Sequence, residues 1–297
     1  MNWMKYKKIY FAVSGALILL GITSLFVWGL KLSVDFTGGT IIEYRFQDEI
    51  STKDVLGKIE NDGFEIISIQ NTGENKYLFK FPPMMSDEKE EITSLLKSVV
   101  GEGEPEELRF EIIGPSIGPE LVKKTVYAII IATASILLWV AYQFKSIKFG
   151  SAAILAMLHD SFILVGSFAL LGHFFGAEVD FLFVTALLTT LSFSAHDTIV
   201  VFDRIREIGG KNIDDLEGVA NRALTETMVR SLNNSFTIGF MLVALILLGG
   251  STVKWFAIAL FIGTVLGTYS SPFVAVPLLV SWDDVVGKIN FLVRRRK

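Results

Sequence analysis

Asp160, next to His159, and Asp197, next to His196, interrupt stretches of sequence that are otherwise apolar. A carboxylate carried into hydrocarbon costs roughly 2.5 to 3.5 kcal/mol on insertion scales, so such a group is either paired or put to use. An acid beside an imidazole, which titrates near neutral pH, suits the uptake and release of protons. Around Asp197, helical spacing places Ala186, Thr190, Ser194 and Val201 on the same face as the acid. Small and hydroxyl-bearing residues there let a neighbouring helix, or water, come close. Arg230, Asn234 and Thr237 repeat a four-then-three spacing, with Asn233 alongside. Asp197 precedes Arg204 by seven residues, which is roughly 10 Å of helix from the end of its apolar block, a depth at which it could meet Arg230. An acid that exchanges an arginine for a proton is a relay. The plainer alternatives are a static ion pair that fixes helix register and an arginine that snorkels to the headgroups.

These residues need membrane helices to position them. The chain is 51% hydrophobic with a mean hydropathy of +0.51. Its apolar residues fall in blocks at about 9–30, 125–144, 149–171, 180–202, 231–250 and 255–282. Each is long enough to cross roughly 30 Å of hydrocarbon as a helix. The first block, behind Lys5, Lys7 and Lys8, is too long for the apolar core of a cleaved signal and reads as a retained anchor. With both ends inside, Lys145, Lys148, the basic residues from Arg204 to Arg230 and those from Lys288 to Lys297 are cytoplasmic. The short outer loops then keep only Lys254. The long segment 31–124 is discounted, because large domains translocate largely regardless of charge. The expectation is a multi-pass protein of the cytoplasmic (inner) membrane with both termini in the cytoplasm. A net charge of -4 argues against a nucleic-acid partner. Without cysteine, thiolate metal sites are excluded, and neither a metal nor a cofactor is expected.

The division expected is 1–30 for the cytoplasmic N-terminus and first transmembrane helix, 31–124 for an extracytoplasmic domain, 125–282 for a five-helix region and 283–297 for a basic cytoplasmic tail. In 31–124 the periodicity alternates between strand and helix. Strands are expected at Thr40–Phe46, Phe64–Ile69, Tyr77–Phe81 and Leu108–Ile113, with a turn at Asn71-Thr72-Gly73. A helix opens on the capping box from Ser51 to Asp54, and a second runs from Ser86 to about Val99. The β-α-β-β-α-β order makes this a ferredoxin-like α+β domain inserted into a six-helix membrane protein. Two motifs border it as turns: Asp35-Phe36-Thr37-Gly38-Gly39, and Gly114-Pro115-Ser116-Ile117-Gly118-Pro119. In the cytoplasmic loop 203–230, the spacing of Ile213, Leu216, Val219, Ala220, Ala223 and Leu224 predicts a surface amphipathic helix. Gly263 and Gly267 predict a close helix contact, and Pro272 and Pro277 a kink in the last span.

These motifs resemble those of the SecF family, the smaller subunits of SecD/SecF export complexes in the resistance-nodulation-division class. The resemblance rests on Val34 to Gly39, Ile113 to Leu121, His159-Asp160 and the run from His196 to Glu207. It implies a proton-driven accessory of the Sec translocon that helps draw preprotein outward. It further implies a SecD partner, contact with SecYEG, and roles in proton passage for Asp197 and Arg230. The chain departs from the family pattern at His196, where Asn is usual, and at Ser192-Phe193-Ser194, where Gly-Tyr-Ser is usual. The coupling ion, proton or sodium, therefore stays open. Two rival readings are an intramembrane aspartyl protease using Asp160 and Asp197 as a proton-sharing dyad, and a passive assembly scaffold. Ala195 stands where such proteases carry Gly.

Overall fold

The computed structural model describes residues 1–84, 86–100, 105–114, 117–144, 146–210 and 215–282; Pro115, Ser116, Lys145 and the basic tail 283–297 lie outside these. After a 3-10 turn the order is α1 (Lys7–Val27), α2 (Val34–Thr37), β1 (Gly39–Arg45), α3 (Thr52–Asn61), β2 (Ser68–Gly73), β3 (Lys76–Phe81), α4 (Ser86–Val100) and β4 (Glu106–Ile113). Then come α5 (Ile117–Phe144), α6 (Ile147–Phe175), α7 (Phe181–Gly209), α8 (Leu216–Leu248), α9 (Ser251–Ser270), a π-helical turn (Ser271–Ala275) and α10 (Val276–Val280). Six stretches are long and apolar enough to span a membrane: Met4–Val27, Gly118–Phe144, Ile147–Phe175, Phe181–Gly209, Leu216–Leu248 and Val253–Val280. The chain is a multi-pass membrane protein with an inserted α+β domain.

The sheet is antiparallel with order β2-β3-β1-β4, the arrangement expected of the ferredoxin-like order. Alternation sends Ile42 and Tyr44 of β1 and Tyr77, Phe79 and Phe81 of β3 to one face, where Val55 and Ile59 of α3 and Ile92 and Leu96 of α4 complete a core. Ile41, Leu78 and Lys80 therefore take the opposite face, toward the membrane helices. Ser51 caps α3 by accepting from the Asp54 N–H. β2 starts later than expected, because the Phe64 N–H is taken by Ile59 O at the end of α3 and pairing begins only where Ile67 N–H meets Lys80 O. The turn moves with it, and Asn75 takes the left-handed position (φ 54°).

Two further expectations are corrected. Among the described residues of 203–230, which leave out Ile213, there is no separate amphipathic helix: α7 continues to Gly209, and α8 starts at Leu216 with Asp215 accepting from Gly218 N–H. Ala220, Ala223 and Leu224 are the first turns of the fifth span, packed with Met4, Phe202 and Ile205. Likewise α5 begins at Ile117, so Gly118 and Pro119 lie in its first turn instead of preceding the helix. An added Cβ at Gly118 would sit 2.6 Å from Phe36 O and 2.9 Å from Gly38 N, so the two border motifs pack on each other. Gly38 (φ 77°) and Gly39 (φ 153°) adopt backbone conformations that other residues avoid.

In the bundle, α6, α7 and α9 form the buried centre, while α5 and α8 expose most of their surface in the isolated chain. Pro272 falls within the π-turn, whose wider hydrogen-bond spacing accommodates the donor that proline lacks. α1 meets α6 backbone to backbone: a Cβ on Gly166 would lie 2.3 Å from Gly21 Cα. Gly166→Ala should therefore destabilise the detergent-solubilised protein by about 1 to 3 kcal/mol. Gly15→Ala, where nothing lies within 4 Å, should leave the melting temperature unchanged. Equal melting temperatures for the two variants would refute this packing.

Candidate functional site

The stripe on α7 faces inward: Ala186, Thr190, Ser194, Asp197 and Val201 are all buried. The reason is α9, whose two glycines allow it to approach. A Cβ on Gly263 would lie 2.0 Å from Thr190 Oγ1, and one on Gly267 would lie 3.4 Å from Ser194 Cα. The close contact read from Gly263 and Gly267 thus falls on the hydroxyl stripe itself. Thr190 Oγ1 and Ser194 Oγ are buried and make no hydrogen bond among the described residues.

Asp197 is 6% exposed, and its Oδ2 accepts from Ser231 Oγ at 2.6 Å. The partner expected for this acid was Arg230, the residue just before that serine. Arg230 instead lines a cavity of about 550 Å³ with Val200, Asp203, Arg204, Glu207, Glu226 and Thr227, at the end of the bundle away from the sheet. Arg204 pairs there with Glu207 and Glu226, Arg222 with Glu226, and Arg206 with Asp203. Arg230 is exposed and makes no ion pair among the described residues. Asn233, Asn234 and Thr237 are exposed too, on the side of α8 turned away from the bundle. Inward polar residues of α8 include Thr227, Ser231 and Ser235, the last 2.5 Å from Thr268 of α9.

Asp160 is fully buried. Its Oδ1 lies 2.9 Å from His159 Nδ1, and its Oδ2 accepts from Ser270 Oγ at 2.6 Å. The other ring nitrogen of His159 is buried and has no hydrogen-bond partner among the described residues, and the ring stacks at 6.5 Å on Tyr269. His196 is exposed. Beside Ser270, Ser271 shares a hydrogen bond of 3.0 Å with Thr198, the neighbour of Asp197. The arrangement can hold a proton on either of two buried carboxylates, each steadied by a serine from a different helix.

Ser231, Ser270, Ser271 and Thr198 are not singled out in the sequence, because an uncharged hydroxyl does not mark itself as a partner near a buried acid. The signal was present: Ser231 and Ser235 are four apart, and Thr264, Thr268 and Ser271 repeat the four-then-three spacing.

Residues 91–285 match the family of protein export membrane proteins SecD/SecF, C-terminal, and residues 23–50 match the SecD/SecF GG motif. The chain belongs to the SecD/SecF protein-export family. A protein translocase subunit SecF of Thermobaculum terrenum is 39% identical over 95% of this chain and 93% of its own length. One from Anaerolinea thermophila is 34% identical over 96% and 94%. A crystal structure of SecDF from Thermus thermophilus, a translocon-associated membrane protein, superposes with a TM-score of 0.84 at 34% identity, covering 96% of this chain. This chain spans only 39% of that one. Gly38 and Gly39 fall in the matched GG motif, and Asp160, Asp197, Arg230 and Ser231 fall in the C-terminal match.

The contact between Asp197 and Ser231 yields a prediction. A double-mutant cycle with Asp197→Asn and Ser231→Ala, read by thermal unfolding in detergent, should give a coupling of about 1.5 to 3 kcal/mol, the range for a hydrogen bond to a charged group. A coupling near zero would mean that the serine does not hold the acid.

Proposed function

We propose that this chain is an accessory subunit of a protein-export machine, working with SecD beside the SecYEG translocon and using the proton motive force to promote preprotein translocation. Its relatives carry the name translocase subunit, a transport role. The observation that carries the coupling is Asp197: a buried carboxylate in the membrane, held by Ser231, whose neighbour Arg230 makes no ion pair among the described residues. In this reading deprotonated Asp197 draws Arg230 inward from its cavity, and protonation releases it. Attraction between such charges is strong in a low dielectric and collapses once the acid is neutral. Asp160 with His159 is a second protonatable site, and His196 lies next to the acid on the exposed face of α7.

SecD is the partner proposed for the exposed polar face. Asn233, Asn234 and Thr237 on α8 would face lipid in the isolated chain, whereas a second membrane chain could hydrogen-bond to them. The solved SecDF chain has more than half its length beyond the region matched here, enough for such a second half. The proposed orientation places both termini in the cytoplasm of an inner-membrane protein and the sheet domain outside, with Gly38-Gly39 and Gly114-Pro115 as the joints through which helix movement reaches it. The protease reading needs Asp160 and Asp197 to share a proton. Each is instead engaged by its own serine, on different helices.

Reporter fusions after residue 230 should be cytoplasmic, and a fusion near Gly73 should be external; a cytoplasmic signal at Gly73 would overturn the orientation. In vesicles containing the assembled complex, Asp197→Asn should abolish gradient stimulation of export while still co-purifying with SecD. Arg230→Lys should keep part of the stimulation, and Arg230→Met none. Full stimulation with Asp197→Asn would refute the relay, and loss of assembly would point to a purely structural acid.

A further inference from the structure

The sheet domain and the membrane bundle have separate hydrophobic cores, with only a small apolar cluster, Val34, Ile41 and Leu78, where they meet. Beside that cluster lies a cavity of about 200 Å³ whose lining includes Asp35, Lys80, Arg109, Glu178 and Asp180. An interface with so little apolar area holds two bodies together weakly, so relative motion is the default expectation. What fixes the domain here is charge. Lys80, on the outward-alternating face of β3, is 8% exposed, and its Nζ lies 2.5 Å from Oε2 of Glu178, which is 5% exposed. The other oxygen of Glu178 makes no hydrogen bond among the described residues and has Lys31 Nζ 3.6 Å away.

We propose that the Lys80–Glu178 pair is a reversible latch seating the sheet domain on the membrane bundle, with Lys31 as the cation that keeps Glu178 compensated when the latch opens. A buried ion pair stabilises little against its own desolvation, yet pulling it partly apart leaves a buried charge uncompensated. The pair therefore favours two states, seated or fully separated, over anything between. Lys80 leaves with the domain and regains water. Glu178 stays on the bundle, in the link between α6 and α7, and keeps Lys31. That lysine is held on the same side by Val179 N–H to Lys31 O and Ser33 N–H to Val179 O.

The latch sits at the end of the helix that carries Asp197. Asp180, two residues after Glu178, caps α7 by accepting from Phe183 N–H at 2.7 Å, and Asp35 of α2 accepts from Phe181 N–H at 3.4 Å. Burial, reinforced by Asp35, raises the Asp180 carboxyl above its ordinary value, against the lowering effect of the Phe183 N–H and Lys80. A shift of α7 therefore moves Glu178 directly, while Gly38-Gly39 remains the pivot.

The chain lacks cysteine, so a single Ile41→Cys on the covered sheet face reports opening through its labelling rate with a membrane-impermeant maleimide. Lys80→Met and Glu178→Gln should each speed labelling about tenfold, because they remove the pair. Lys31→Met should slow it, because the open state then strands Glu178. A purely structural pair would predict faster or unchanged labelling in all three, and that result would overturn the latch. As a second measure, a Thr72→Cys and Gly250→Cys pair spans the contact where a Gly250 Cβ would lie 3.8 Å from Thr72 O. Its disulfide should abolish gradient-stimulated export, and reductant should restore it. Undiminished export by the oxidised form would show that the domain need not leave its seat. The link to transport rests on the function proposed above, but the labelling arms do not use export, so the two readings can fail separately.

Discussion

Everything in the bundle answers to one constraint: two carboxylates are carried into a medium that cannot solvate them. Hydrocarbon offers no donors, so the protein must supply them, and it does so with serines from neighbouring helices. Ser231 reaches Asp197 from α8, and Ser270 reaches Asp160 from α9. A serine hydroxyl is short, so the helices must come close. The glycines at 263 and 267 let α9 approach α7, where Ser271 meets Thr198, and those at 21 and 166 bring α1 onto α6. Helix proximity, small residues and buried acids are thus one arrangement seen from three sides.

The sheet domain obeys a different logic. Its core is aromatic and self-contained, with Tyr44, Phe46, Tyr77, Phe79 and Phe81 packed under α3 and α4. The junction can accordingly be small and polar. Strand alternation decides which residues reach it: Phe79 and Phe81 face the domain core, so Lys80 between them must face the bundle. A charged residue in that position costs stability unless it is met, and Glu178 meets it.

Much of this was legible in the sequence because the signals were local and periodic. The six apolar blocks, the strand and helix order of the inserted domain, and the inward α7 stripe all follow from spacing. The start of β2 was misplaced because the Phe64 N–H is spent on closing α3, a detail that hydrophobicity does not carry. The loop helix was misread because Ala220, Ala223 and Leu224 have the same period whether they lie on a surface or rise into the fifth span. The hydroxyl that bonds Asp197 here escapes a sequence reading for an electrostatic reason. Opposite charges attract attention in a sequence, whereas a hydroxyl one residue further along the helix points to the acid and the arginine does not. The Lys80–Glu178 pair, with almost a hundred residues between its members, has no local signature at all.

α9, with the turn that follows it, reaches Asp160 and the neighbour of Asp197. Ser270 donates to Asp160, and Ser271 shares its hydroxyl with Thr198, next to Asp197. These adjacent serines stand where regular α-helix gives way to the π-turn Ser271–Ala275, with Pro272 inside it. A π-turn places its backbone hydrogen bonds differently from the helix on either side, so a change in either serine's bond bears on the least regular point of the span. Asp160 and the neighbour of Asp197 are thereby met by two adjacent side chains of one span. The same span begins at Ser251, just after Gly250, which lies against Thr72 of the sheet domain. α9 and the turn after it therefore run from the seat of the sheet domain to Asp160 and to Thr198, the neighbour of Asp197, by contacts alone.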